Sequence, residues 1–409
     1  MKKTLAFNYF KIISALCISF SVKPTLSQSF RGLSTLSENE IWVSGSKGTV
    51  VHTNNSGKSF DTLNPAGFSK KDFRDIHAFN SQSAVVMSAG DSAVILKTTN
   101  HGKTWKTVYE DNRPGIFLDV IEINSQTGIG IALGDPLPDS LFSKNAPQSN
   151  AKHFVALYTA DFGDHWHPIP NGTWNLATEH LSSMYAASGS SLVYNRLSIQ
   201  KTKTESKILM DFYFAGGGNK AGEVRQVILS FSPQAPSKTF EFLSFPYQVN
   251  YPSGDGWGIY GMQLINNRLY CVGGHWKYPN AKDSFSYVIQ LSNVKYKLKN
   301  TQIESKIAIS HSQLPQNGYR SDVAMLYNPK TKEYEGISVG SNGIDQLSHL
   351  KSTSLSLQNN RNSYQNLKQI KGINACQWIE NTLWMVGNKG QVIKFQKNLL
   401  FPDSIFPGR

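Results

Sequence analysis

Asn55-Ser56-Gly57-Lys58-Ser59-Phe60, Asn100-His101-Gly102-Lys103-Thr104-Trp105 and Asp161-Phe162-Gly163-Asp164-His165-Trp166 are three copies of one short turn. Each has an Asx residue, a glycine two positions on and an aromatic three after that. Each follows a β-branched stretch ending in threonine or Thr-Ala. The Asx side chain accepts from N–H groups of its own turn, glycine takes the left-handed backbone, and the aromatic packs between neighbouring units. This assigns Asn55, Gly57, Phe60, Asn100, Gly102, Trp105, Asp161, Gly163 and Trp166 a structural role. Two of the three Asx residues are asparagine, a poor ligand set for calcium.

The segments ahead of the turns repeat as well. Phe30-Arg31-Gly32-Leu33, Phe73-Arg74-Asp75-Ile76 and Phe117-Leu118-Asp119-Val120 begin units 43 and 44 residues apart, within the roughly 40–50 residues of a four-stranded propeller blade. Trp42-Val43-Ser44-Gly45-Ser46-Lys47-Gly48-Thr49-Val50-Val51 returns near the other end as Trp384-Met385-Val386-Gly387-Asn388-Lys389-Gly390-Gln391-Val392-Ile393, with Val339–Ile344 a weaker copy. Unit starts predict an all-β propeller of four-stranded antiparallel blades, best counted as seven with six or eight as alternatives, over 30–68, 72–110, 117–170, 179–235, 257–298, 319–353 and 373–396. The fourth and fifth units are poorly marked. Polar insertions at 136–151, 187–207 and 354–368 read as surface loops.

The chain has 409 residues, 39% of them apolar and 17% charged, enough apolar content for a large core and too little charge for a disordered chain. Lys2 and Lys3 precede a short apolar stretch interrupted by Lys11, which reads as an export signal, 1–27, cleaved near Ser27. The stretch is too short and broken for a membrane span. Residues 28–409 then form one propeller domain, expected as a periplasmic or extracellular monomer. Losing Lys2, Lys3, Lys11 and Lys23 with no acid takes the formal charge from +13 to +9. A basic surface favours acidic partners, and without a basic run interleaved with aromatics nucleic acid is not expected. Cys271 and Cys376 could form one bridge in an oxidising compartment; the preferred reading is two buried free thiols.

The turns resemble Asp-box (BNR-type) repeats. The wider pattern, with Gly318-Tyr319-Arg320-Ser321 late in the chain, resembles exported propellers related to the photosystem II stability/assembly factor, whose bacterial relatives are often labelled oxidoreductase or sialidase-like. The resemblance implies a propeller and leaves the activity open, because such turns occur in many unrelated proteins.

Arg31, Arg74 and Arg320 each follow an aromatic at a unit's start. First strands line a propeller's channel, so the three guanidiniums are expected at one mouth, with Asp75, Asp119 and Glu179 beside them, suited to carboxylate or phosphate. The expected function is non-catalytic: binding an envelope or secreted protein, or an anionic glycan. The alternative is a glycoside hydrolase or lyase using Asp75, Asp119 or Glu179. A sialidase would need Tyr319 with Glu179, yet Phe30-Arg31-Gly32 lacks the Arg-Ile-Pro signature, and Tyr319 and Arg320 should point to opposite faces. The Gly216–Gly222 stretch has no following helix for a dinucleotide and reads as a hairpin turn. His275 with Cys271 lacks a second metal-ligand pair, and His165 and His167 flank Trp166 on an exposed turn. No metal and no cofactor is expected. The aromatics of Tyr247–Tyr260 and Gly273–Tyr278 read as inter-blade packing or as a stacking surface.

Overall fold

The computed structural model describes residues 28–142, 152–169, 183–201, 206–218, 222–232, 241–249, 252–291, 295–299, 302–306, 309–314, 316–351 and 367–400. The expected leader and Glu179 lie outside these residues. The chain is a β-propeller of antiparallel sheets. Among the described residues the sheets span, in chain order, Phe30–Thr62, Asp72–Asp111, Leu118–Pro168, Leu192–Val249, Gly254–Leu314, Asp322–Lys351 and Ile373–Gln396. The first four have four strands each, and the last two have three. The fifth has four of its own, plus Gly217–Gly218 along its inner strand.

The innermost strands adjoin in sequence, and Ile373–Ile379 packs back on Phe30–Ser37. Closure is both apolar and polar. Trp384 shares a buried cluster with Phe30, Val43 and Val51, while Thr35 N–H donates to Gln377 Oε1 (3.2 Å). Its repeat partner Trp42 packs likewise on Phe73 and Val86 of the second sheet. The Trp-x-x-Gly-x-Lys-Gly similarity at the two ends thus reflects one job done twice: an indole on the second strand fills the gap to the next sheet, and large aromatic surfaces dominate such burial.

The three Asx turns have one hydrogen-bond pattern. Thr53, Thr98 and Thr159 each donate through Oγ1 to Asn55, Asn100 and Asp161 (3.0, 3.1 and 3.0 Å) and accept the N–H of Gly57, Gly102 and Gly163. The Asx oxygen accepts from Ser59, Thr104 and His165 N–H at 3.0 Å in all three. The residue before each glycine is also left-handed: Ser56, His101 and Phe162 have φ near +60°. Trp105 Nε1 donates to Leu63 O of the preceding sheet (2.9 Å), and Trp166 joins a cluster containing Val85 of the preceding sheet.

The poorly marked middle departs from the sequence reading. The fourth sheet runs to Val249, taking Glu241–Val249 as its outer strand, and the fifth reaches Leu314. The Asx-x-Gly-x-x-aromatic sequence that marks the edges of the first three does not occur in either. Gly217–Gly218 follows the second strand of the fourth sheet but pairs with Gly254 and Gly258 of the fifth. The 187–207 insertion is not wholly a surface loop either. Leu192–Lys201 is the inner strand of the fourth sheet, and the turn Gly189–Ser191 lies in the central channel against the inner strands of the first, second, third and fifth sheets. Ser188 and Ser191 are buried. At Gly189 an added Cβ would lie 2.1–2.3 Å from the Asp75 carboxylate, so only glycine lets this plug pass.

Candidate functional site: the arginine–tyrosine mouth

A bulge near the start of most inner strands creates the site. Pairing skips Arg31 (between Phe30 and Gly32), Arg74 (between Phe73 and Asp75), Asp119, Tyr260 and Asn374. A bulged residue is released from the alternation of faces and can be re-aimed. These side chains share one end of the channel. Arg31 and Arg74 lie close enough that the Arg74 charge disfavours that of Arg31, and both act on Tyr319. Tyr319 meets Tyr260 edge to face at 4.8 Å, and Tyr260 stacks with Tyr185 at 5.7 Å. Arg74 pairs with Asp119 (3.5 Å), donates to Ala186 O and lies 4.8 Å over the Phe117 ring.

The electrostatics are uneven. Arg31 Nε lies 3.1 Å from Asp72, both side chains largely buried. Burial holds the Arg31 guanidinium below its usual value, Asp72 pulls it back up, and Arg74 pushes it further down. Burial raises Asp119 well above the carboxylate range, Asp135 adds to this, and Arg74 opposes it. Arg74 Nε and Asp119 Oδ2 are buried with no hydrogen-bond partner among the described residues. Such atoms cost free energy until something satisfies them. Tyr319 is raised by burial and lowered by Arg31 and Arg74. A rim loop flanks the tyrosines. Pro279 O accepts the Tyr319 N–H (2.8 Å), Lys277 pairs with Asp255 (2.5 Å), and Trp276 and Tyr278 are 50% and 66% exposed.

Two sequence expectations are corrected. Arg320 is not at the mouth. Gly340 closes on Tyr319 O and Arg320 Cα as Gly45 closes on Ser29 O and Phe30 Cα, so Arg320 occupies the position of Phe30 rather than of Arg31. One residue of offset reverses the face. Arg320 is 2% exposed, with Asp345 at 2.8 Å, Asn342 Oδ1 at 2.6 Å and Asn317 O at 3.0 Å. Its neighbour Tyr319 reaches the mouth instead. The same offset makes Asp119 the counterpart of Arg74, not of Asp75.

Asp75 is a clamp. Its Oδ1 accepts from Ile76 N–H and its Oδ2 from Ile121 N–H of the next sheet, both 2.8 Å. Asp322 does the same for the sixth and seventh sheets, with Val323 (2.7 Å) and Cys376 (2.8 Å). Both carboxylates are pushed up to about 7, chiefly by burial against the pull of their N–H donors. They face a cavity of about 490 Å³ beyond the plug, lined by the inner strand of each sheet named above and by neither Arg31 nor Arg74. Glu122, in the same cavity, is pushed up to about 8 by burial and by Asp75, and burial holds His77 down at about 4. The carboxylates of the glycosidase alternative are therefore divided, Asp119 at the mouth and Asp75 beyond the plug.

Of the other motifs, His275 packs against Trp257 and Tyr278 (5.1 and 4.6 Å), and Cys271 and Cys376 are buried free thiols. Sequence reasoning missed Tyr185 and the plug. Tyr185 carries no motif, and a channel-filling turn reads like any Ser/Gly-rich loop. Among the described residues no helix is long and apolar enough to cross a membrane.

No protein-family model and no curated protein matches this chain. Solved structures similar to it include "YCF48 bound to D1 peptide", 11% identical with a TM-score of 0.48, covering 92% of this chain and 94% of that one. Another is "YCF48 from Cyanidioschyzon merolae", 12% identical with a TM-score of 0.47, covering 92% and 98%. A chain of a mitotic checkpoint complex is 10% identical with a TM-score of 0.49, covering 97% and 99%.

Proposed function

We propose that this protein is a seven-bladed, non-catalytic binding module that captures a carboxylate-bearing segment of a protein partner at the arginine–tyrosine mouth. The observation that carries the reading is the pair of adjacent bulges that sets Arg31 and Arg74 side by side, with Arg74 Nε unpartnered. Guanidinium forks match a carboxylate in shape and charge. Trp276 and Tyr278 supply exposed aromatic anchors of the kind that dominate protein interfaces. Tyr260 and Tyr319 are 4% and 6% exposed, so they shape the wall rather than offer a free face to a sugar.

The test is retention of immobilised acidic and neutral peptides, with a sulfated glycan as a third arm. Acidic peptides should be retained, less so at high salt. The pair Arg31→Ala and Arg74→Lys should weaken retention at least ~10-fold, since lysine lacks the fork. Unchanged retention in that variant sinks the reading, and retention of the glycan alone replaces it. Export also belongs to this reading, motivated by the basic, apolar residues 1–27. Amino-terminal sequencing of protein from the cell envelope or medium should begin close to residue 28, and an intact Met1 would remove it.

A further inference from the structure

We infer that His52, His101 and Asp61 form a binding site for a single zinc-class divalent cation, on the rim where the first and second sheets meet. The site is distinct from the channel mouth. His52 lies on strand Thr49–Thr53, Asp61 on the outer edge strand Asp61–Thr62, and His101 at the left-handed position of the second Asx turn. One ligand atom from each lies within 4.8 Å of the other two. Tetrahedral zinc, bound at ~2.0–2.2 Å by nitrogen and oxygen, holds adjacent ligand atoms about 3.3 Å apart. His101 Nε2 and Asp61 Oδ2 are already 3.4 Å apart. Asp61 is an exposed side chain on a two-residue edge strand.

The outer contacts prepare both imidazoles. His101 Nδ1 lies 2.6 Å from Ser81 O, and a carbonyl only accepts, so Nδ1 carries the proton and Nε2 presents its lone pair to Asp61. His52 Nε2 lies 2.9 Å from Glu40 Oε1, which leaves Nδ1 as the nitrogen it can offer. His52 is fully buried, and that Nδ1 has no hydrogen-bond partner among the described residues. A carboxylate behind one ring and a backbone carbonyl behind the other is the usual second layer of a histidine metal site. An orphaned buried nitrogen is hard to explain by packing alone. Two imidazoles and one carboxylate suit zinc better than calcium or magnesium, which prefer oxygen alone. Three protein ligands leave the fourth position to water. The rings also lie edge to face at 4.6 Å, beside Trp42, so aromatic rim packing is the competing explanation.

The experiment is calorimetric titration of chelator-treated protein with Zn²⁺ alone, alongside thermal melts with and without the metal. One zinc per chain should bind and raise the melting temperature, because the ion joins two sheets of the folded state only. Asp61→Asn, an exposed and near-isosteric change, should weaken binding at least ~10-fold, as should Glu40→Gln, which removes only the negative charge of the outer partner. His101→Gln should abolish the site and the thermal shift while the far-ultraviolet circular dichroism stays native. The proposal is overturned if no zinc binds. It is equally overturned if natively folded Asp61→Asn and His101→Gln bind as the parent does, which would place the metal elsewhere, such as at His165 and His167.

Discussion

Phe73-Arg74-Asp75-Ile76 and Tyr319-Arg320-Ser321-Asp322-Val323 look like two copies of one strand start, yet their arginines do opposite things. In the second sheet Arg74 is the bulged residue and faces the mouth, with Asp75 clamping the next sheet. In the sixth sheet one extra residue precedes the clamping Asp322, so Arg320 falls a step earlier, on the packed face, and the aromatic before it enters the mouth. The clamp is the fixed point of the repeat. Its carboxylate must reach two N–H groups, and the residues ahead of it are placed by counting back from it.

This comparison breaks most visibly at Arg320. Replacing it with Met should leave Asp345 without its buried partner and cost about 3–5 kcal/mol in urea denaturation, while retention of acidic peptides by the folded fraction stays intact. A loss of retention with full stability would instead return Arg320 to the mouth. The clamps come next. Asp75→Asn and Asp322→Asn each turn one acceptor into a donor facing a buried N–H, so each should cost about 2–4 kcal/mol. A difference of more than ~2 kcal/mol between them would deny that they are the same element.

Glu122 tests the cavity that both clamps face. Between its ordinary value near 4.5 and about 8, the folded protein keeps a proton there that the unfolded chain has released. Its contribution is therefore favourable at low pH, and stability declines as pH rises through that window. Glu122→Gln should match the parent at pH 4 and exceed it by about 1–3 kcal/mol at pH 8.5, less than the full shift implies because Glu122 is only partly buried. An equal deficit at both pH values would mean that Glu122 makes an essential contact. The smallest effect belongs to Arg31→Ala. Its partly exposed pair with Asp72 should cost under ~1 kcal/mol in denaturation, although peptide retention falls.

Much of the fold was legible because its signals are local. An Asx turn needs its threonine, Asx and glycine within five residues, so Thr53–Gly57, Thr98–Gly102 and Thr159–Gly163 declare themselves in any alignment of the chain with itself. Trp42 and Trp384 do so as well. The fourth and fifth sheets were misread because their outer strands, Glu241–Val249 and Ile309–Leu314, are tied to the sheet by pairing and not by a nearby turn. The site was half legible. Arg31 and Arg74 announced themselves by an aromatic-Arg pair, whereas Tyr185 reaches the mouth through a segment with no motif.

The amino-acid sequence by itself determined that this chain is a propeller built from repeats, that its Asx turns are structural and that Arg31 and Arg74 begin strands, since each rests on residues a few positions apart. Only the tertiary structure decided which arginines share a mouth, because a bulge of one residue reverses a face. It alone filled the channel with Gly189–Ser191. It also brought His101 of one turn beside His52 and Asp61 of the neighbouring sheet, a proximity no spacing along the chain encodes.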